Sequence, residues 1–251
     1  MAMNETRISP EEAASEIFLA RHAGARVLFL AGSVMRGEGT PASDLDIVVV
    51  YEHLPAAYRE SFTHRGWPVE TFVHDAETLN YYLHEADPKT GFPSMANMVL
   101  EGREIPEPCE FSQSMKRQAA AALAAGPPAW DKEELRRRRY MLTDAVNDIR
   151  CPRGDAELVA TGAQLYETTA DFYFRSRVLW SAKGKAIPRR LREVEASFAA
   201  RFCEAFEALF ALKRAEPVVA LVEEMLEPFG GFLFDGYKHE APGDKRGRSL
   251  D

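Results

Sequence analysis

Residues 31–51 read Ala-Gly-Ser-Val-Met-Arg-Gly-Glu-Gly-Thr-Pro-Ala-Ser-Asp-Leu-Asp-Ile-Val-Val-Val-Tyr. An apolar run from Val27 to Ala31 leads into Gly32-Ser33, a polar glycine-rich loop follows, and Asp44-Leu45-Asp46 opens a second apolar run to Tyr51. Both runs have the length and β-branched content of strands, so the segment predicts strand–turn–strand. Side chains alternate along a strand, which puts Asp44 and Asp46 on one face as neighbours. A second aspartate inside Leu45, Ile47, Val48, Val49 and Val50 is partly buried, and an unpaired charge there costs several kcal/mol. A metal ion is the economical partner. Paired carboxylates suit Mg²⁺, a hard cation that takes oxygen ligands and carries substrate phosphates. The Gly32-Ser33 turn supplies backbone N–H groups and a hydroxyl that suit those phosphates.

The chain has 251 residues, 46% apolar and 28% charged, with a net charge of −8, as expected of a soluble protein with ample core. No apolar run reaches the roughly 20 residues that span a bilayer, so no membrane partner is expected. Met1 to Pro10 lacks a basic segment followed by an apolar stretch, and the expectation is a cytoplasmic protein. The three cysteines, Cys109, Cys151 and Cys203, are too widely spaced for a metal or redox motif and read as buried or free thiols in a reducing cytoplasm. The histidines likewise show no metal spacing. Charge is unevenly distributed: residues 1–110 hold 8 Lys+Arg against 18 Asp+Glu, and residues 111–251 hold 23 against 21. An acidic front and an arginine-rich back predict two domains, 1–110 and 111–251. With no strongly basic channel, a nucleic-acid partner and a template-dependent polymerase are both disfavoured.

Ser9-Pro10-Glu11-Glu12 is a helix start with the makings of a capping box. Trp67 to His74 is a third strand, Asp75 caps a helix through Leu83, Pro93 opens another to Leu100, and Arg103 to Ile105 suits a short edge strand. Prolines 106 and 108 mark the boundary, after which the pattern is helical throughout. The expected helices are Met115 to Ala125, Asp131 to Ile149, Asp155 to Trp180, Pro188 to Lys213 and Pro217 to Leu226. Pro242 to Asp251 reads as a polar, frayed tail. The fold class is therefore α+β, a mixed-sheet domain followed by a helical bundle. Phe198, Phe202, Phe206 and Phe210 recur at helical spacing, as core packing demands. Arg136 to Arg139 covers almost a full helical turn, so all four cannot face one ligand, and the run reads as a solvated face.

Gly32-Ser33, ten intervening residues (Val34 to Ser43), then Asp44-Leu45-Asp46 resembles the signature of the nucleotidyltransferase superfamily that shares its fold with DNA polymerase β. Arg36-Gly37 and Ser43 ahead of the acids also look like that family. The resemblance implies Mg²⁺ as cofactor and ATP or another nucleoside triphosphate as co-substrate. It assigns Asp44 and Asp46 to the metal, and Gly32, Ser33 and Arg36 to the nucleotide. It implies a third carboxylate on a later strand, for which Glu70 is the candidate, acting as base or ligand. Asp75 and Glu77 are weaker rivals because both look like first-turn helix residues. Lys183-Gly184-Lys185 is a basic loop, and its likeness to the lysine pair in the helical domain of small-molecule nucleotidyltransferases makes Lys183 and Lys185 phosphate-binding candidates.

The two-domain layout is similar to that of aminoglycoside nucleotidyltransferases, whose acceptor is a small-molecule hydroxyl bound between domains. An acidic first domain suits such a cationic acceptor. A second reading keeps the chemistry but modifies a protein or RNA, as antitoxin-type members do. Against it, the helical part is fused here and has no histidine between Lys116 and Lys238. A third reading, a non-catalytic nucleotide-binding module, is opposed by the intact acids. Nothing in the pattern selects an oligomeric state.

Overall fold

A computed structural model of the chain describes residues 7–240. The expected tail from Pro242 lies outside them. The described residues divide into two compact units between Pro128 and Ala129. The break falls later than the expected 110/111. The reason is helix α6 (Glu110–Ala125), whose Met115, Ala119 and Ala122 are buried in the core of the first unit.

The first unit begins with α1 (Pro10–Arg21), where Ser9 and Glu12 close the capping box and Pro10 takes the first turn. Five strands follow: β1 (Val27–Ala31), β2 (Leu45–Tyr51), β3 (Tyr58–His64), β4 (Trp67–Asp75) and β5 (Arg103–Ile105). Their order is β3-β4-β2-β1-β5, with β2 and β4 parallel and the other pairs antiparallel. The sheet is therefore mixed, as expected, but β3 has no counterpart in the sequence reading. Its alternating polar residues mark an edge strand, and the Arg65-Gly66 turn that joins it to β4 has both residues at positive φ. That is the geometry of a tight two-residue hairpin, and glycine meets it without strain.

Alternation along β2 feeds two cores. Leu45, Ile47 and Val49 pack with Leu28, Leu30 and the α1 residues Ala13, Ala14 and Ile17. Val48 and Val50 face the other way and pack with Val27, Phe29, Leu79, Val99 and α6. Asp75 caps α3 (Ala76–Tyr81) through the Thr78 N–H at 2.9 Å, as predicted. The helical path continues through a π turn (Tyr82–Ala86) into α4 (Asp87–Thr90), and α5 (Ser94–Glu101) precedes β5.

The second unit contains α7 (Lys132–Arg150), α8 (Asp155–Arg175), a 3₁₀ turn (Gly184–Ala186), α9 (Ile187–Val194), α10 (Ala196–Leu212) and α11 (Glu216–Leu226). Two expected helices change length. The helix from Asp155 stops at Arg175 rather than Trp180, because Val178 turns to φ +57° and the Leu179 N–H reaches back to Phe174 O at 3.0 Å. The expected helix from Pro188 to Lys213 is two helices broken at Glu195, which is extended and accepts the Tyr173 hydroxyl at 2.7 Å. Leu142, Val146, Phe172, Phe202, Phe206, Leu209 and Val222 form the core between these helices.

Candidate active site

β1 ends at Ala31, opposite Asp46 of β2, and the chain turns at once into the short helix α2 (Gly32–Met35). The turn requires Gly32 to adopt φ +87°. A side chain there is excluded twice over, since a Cβ would stand 2.2 Å from Asp46 Oδ2. The close approach explains why glycine precedes serine in this turn: the Asp46 carboxylate occupies the space that any other residue would fill. Downstream, the loop closes on itself. Ser43 is buried, and its Oγ accepts the Thr40 N–H at 2.9 Å and lies 3.3 Å from Ser33 Oγ. Ser33 is thereby linked to the residue just before Asp44, which joins the Gly-Ser turn to the acidic pair.

The parallel register of β2 and β4 places Asp46 beside Glu70. Asp44 immediately precedes β2 and has the same parity as Asp46. Asp44, Asp46 and Glu70 each offer a carboxylate oxygen within 4.8 Å of the others, and all three are half-buried. Three like charges at that separation repel one another, and an all-oxygen set of this kind fits a divalent hard cation. The residues therefore suit the metal that the sequence implied.

Glu70 also carries an ion pair with Arg59 of β3, Nη2 to Oε2 at 2.5 Å. The sequence reading did not find Arg59. Its signal was the Arg65-Gly66 hairpin turn, which fixes the register that brings β3 alongside Glu70. Arg36 lies just after α2 and is held by Glu38 and Glu101, each at 3.1 Å. Burial works against its charge, but those carboxylates outweigh it and hold the guanidinium pKa above its ordinary value. The rivals to Glu70 have other positions: Asp75 is buried, capping α3 and accepting the Leu54 N–H at 3.0 Å, and Glu77 is exposed in the first turn of α3.

Lys183 and Lys185 belong to the second unit. Both are exposed, on a loop anchored by the buried Trp180 and Ser181. The loop is further held by the Gly184 N–H, which donates to Glu167 Oε1 at 3.2 Å. The four arginines of α7 are engaged within their own unit. Arg137 and Arg138 bond Glu134, Arg139 bonds the carbonyls of Gly230 and Gly231, and Arg136 reaches the Gly236 carbonyl at 3.4 Å.

Residues 12–93 match the family model described as a nucleotidyltransferase domain, a span that contains Gly32, Ser33, Asp44, Asp46 and Glu70. No curated protein matches the chain. Among solved structures, a nucleotidyltransferase-like protein from Exiguobacterium sibiricum 255-15 is similar at 12% identity and a TM-score of 0.43, over 88% of this chain and 75% of that one.

Proposed function

We propose, from the nucleotidyltransferase domain matched over residues 12–93, that this chain transfers AMP from ATP to a hydroxyl of a small molecule such as an aminoglycoside. Pyrophosphate leaves, and Mg²⁺ is the cofactor. The observation that carries the reading is the trio of carboxylates within 4.8 Å beside the Gly32 turn, inside the matched span.

Asp44 and Asp46 would hold the metal, which when bound neutralises charge on the phosphates and on the attacking and leaving oxygens. Glu70 accepts the proton of the acceptor hydroxyl, which forms its bond to the α-phosphorus as the bond to pyrophosphate breaks. Gly32, Ser33 and the first-turn N–H groups of α2 hold phosphate oxygens, because N–H groups at a helix start have no acceptor within the helix. Arg36, Lys183 and Lys185 are the cations assigned to the nucleotide. The acceptor class is supported by the acidity of residues 1–110, since carboxylates concentrate cationic ligands.

The test is pyrophosphate release from ATP with Mg²⁺ across a panel of aminoglycosides, with the adduct identified by mass spectrometry. Asp46→Asn is expected to lower turnover on the order of 10³-fold. Full activity of that variant removes the metal assignment, and no release with any aminoglycoside removes the acceptor class.

A further inference from the structure

We propose that Arg59 is an internal counter-ion that competes with the divalent cation for Glu70. It leaves Asp44 and Asp46 as the metal seat and keeps Glu70 as the carboxylate available to the acceptor. The inference rests on the reading above that these acids hold a metal, and it adds the residue that divides their roles.

The argument starts from the hairpin. Its register sets Ser61 opposite Glu70 and Arg59 opposite Phe72, so Arg59 and Glu70 are diagonal neighbours on one face of the sheet. Long side chains reach across that diagonal. The guanidinium lies over the Phe72 ring, 5.0 Å from its centroid, and its Nη2 bonds Glu70 Oε2 at 2.5 Å. An aromatic face on one side and a carboxylate on the other fix a planar cation in a way that a freely moving lysine would not reproduce. Arg59 is thus placed on Glu70 by strand register and stacking together.

Charge then decides the roles. Asp44, Asp46 and Glu70 bring three negative charges within 4.8 Å, and Arg59 returns one positive charge to Glu70. Magnesium is commonly bound through one or two carboxylates together with substrate phosphates, so two aspartates suffice as its seat. To recruit Glu70 as a third ligand, the metal must displace the guanidinium. Glu70 therefore stays oriented on β4 by its guanidinium partner, while the aspartates take the ion.

Mn²⁺ binding to the full chain, without nucleotide, is the test, read by calorimetry. Arg59→Ala is expected to bind Mn²⁺ about three- to tenfold tighter than wild type, the modest size reflecting a partly exposed pair. Arg59→Lys, which keeps the charge, is expected to lie between the two. In a Glu70→Gln background, Arg59→Ala is expected to change the affinity less than about twofold. A gain in affinity is not something a damaged fold produces, and Arg59→Gln serves as a second variant. If neither neutral variant binds Mn²⁺ tighter than wild type, including the case in which none binds, the proposal is overturned. It is also overturned if the gain persists undiminished without Glu70. Asp46→Asn separates the two readings: retained binding sinks the metal seat itself, whereas lost binding with no Arg59 effect sinks only the counter-ion.

Discussion

In the first unit three carboxylates, Asp44, Asp46 and Glu70, converge within 4.8 Å, while in the second unit opposite charges are matched at close range. Glu134 takes Arg137 and Arg138, Arg201 takes Glu224, and Tyr173 donates to Glu195. The arginine contacts pull the Glu134 carboxyl down to about 2, and burial together with Glu195 pushes the Tyr173 hydroxyl up to about 12. Gathered like charges cost free energy and so point to a ligand. The paired charges of the second unit are satisfied within that unit. The arginine run of α7, which reads in the sequence as a solvated face, instead ties its own unit together. The quieter acidic pair is where the proposed function seats the metal.

The sharpest way to break this contrast is to damage one unit and watch the other. Phe202 is fully buried among Phe198, Phe206 and Tyr166. Phe202→Ala is expected to destabilise the second unit by about 3–5 kcal/mol in urea unfolding. Mn²⁺ affinity at the carboxylates is expected to stay unchanged in the still-folded protein. An equal loss of metal binding would show that the carboxylate cluster depends on the helical unit.

Gly32→Ala makes the reverse cut. It combines a left-handed backbone with a contact on the Asp46 carboxylate. The expected cost is about 1–3 kcal/mol of stability, and metal affinity should fall more steeply than stability does. If Gly32→Ala binds Mn²⁺ like wild type, Gly32 does not position Asp46.

Two buried groups couple the stability of the first unit to pH, with opposite signs. Burial pushes His74 down to about 4 and Asp87 up to about 6. His74 is neutral in the fold but protonates in the unfolded chain below its ordinary value. Its contribution is therefore lost as pH falls from about 6.5 to 4, by up to about 3 kcal/mol. Asp87 acts with the opposite sign. The folded state takes up its proton first, so stability rises as pH falls from about 6 towards its unfolded value. The two oppose one another in wild type. Urea midpoints at pH 7 and pH 5 should fall in Asp87→Asn and rise in His74→Gln. The same slope in both variants would refute the pairing.

The smallest expected effect concerns the exposed basic loop. Lys183→Ala or Lys185→Ala should raise KM for ATP about three- to tenfold with kcat less affected, as loss of ground-state phosphate contacts does. Unchanged KM in the double variant would leave those lysines as solvated surface.

Much of the candidate site was legible because its residues are close in sequence. Gly32, Ser33, Asp44 and Asp46 lie on one strand–turn–strand whose periodicity is local. Glu70 was legible only as an acid within an apolar run. Arg59 was legible only through the Arg65-Gly66 turn, because its partner lies across a hairpin whose first strand is a polar edge strand, with no clean apolar alternation to announce it. The missed helix ends have a similar origin. Trp180 is buried beyond the end of the helix, past the exposed Arg177 and Val178, so hydrophobicity resumes where helical hydrogen bonding has ended. The break at Glu195 depends on Tyr173, which is remote in sequence.

The sequence by itself determined the α+β layout, the caps at Ser9, Asp75 and Asp131, and the strand-borne aspartates, since these depend on neighbours within a few residues. Tertiary structure alone decided that Asp46 lies against Gly32, that Glu70 stands beside Asp46, and that Arg59 clasps Glu70. It also decided that α6 belongs with the sheet rather than with the bundle. Strand register and core burial set each of these, and both join residues far apart in the chain whose pairing no local pattern records.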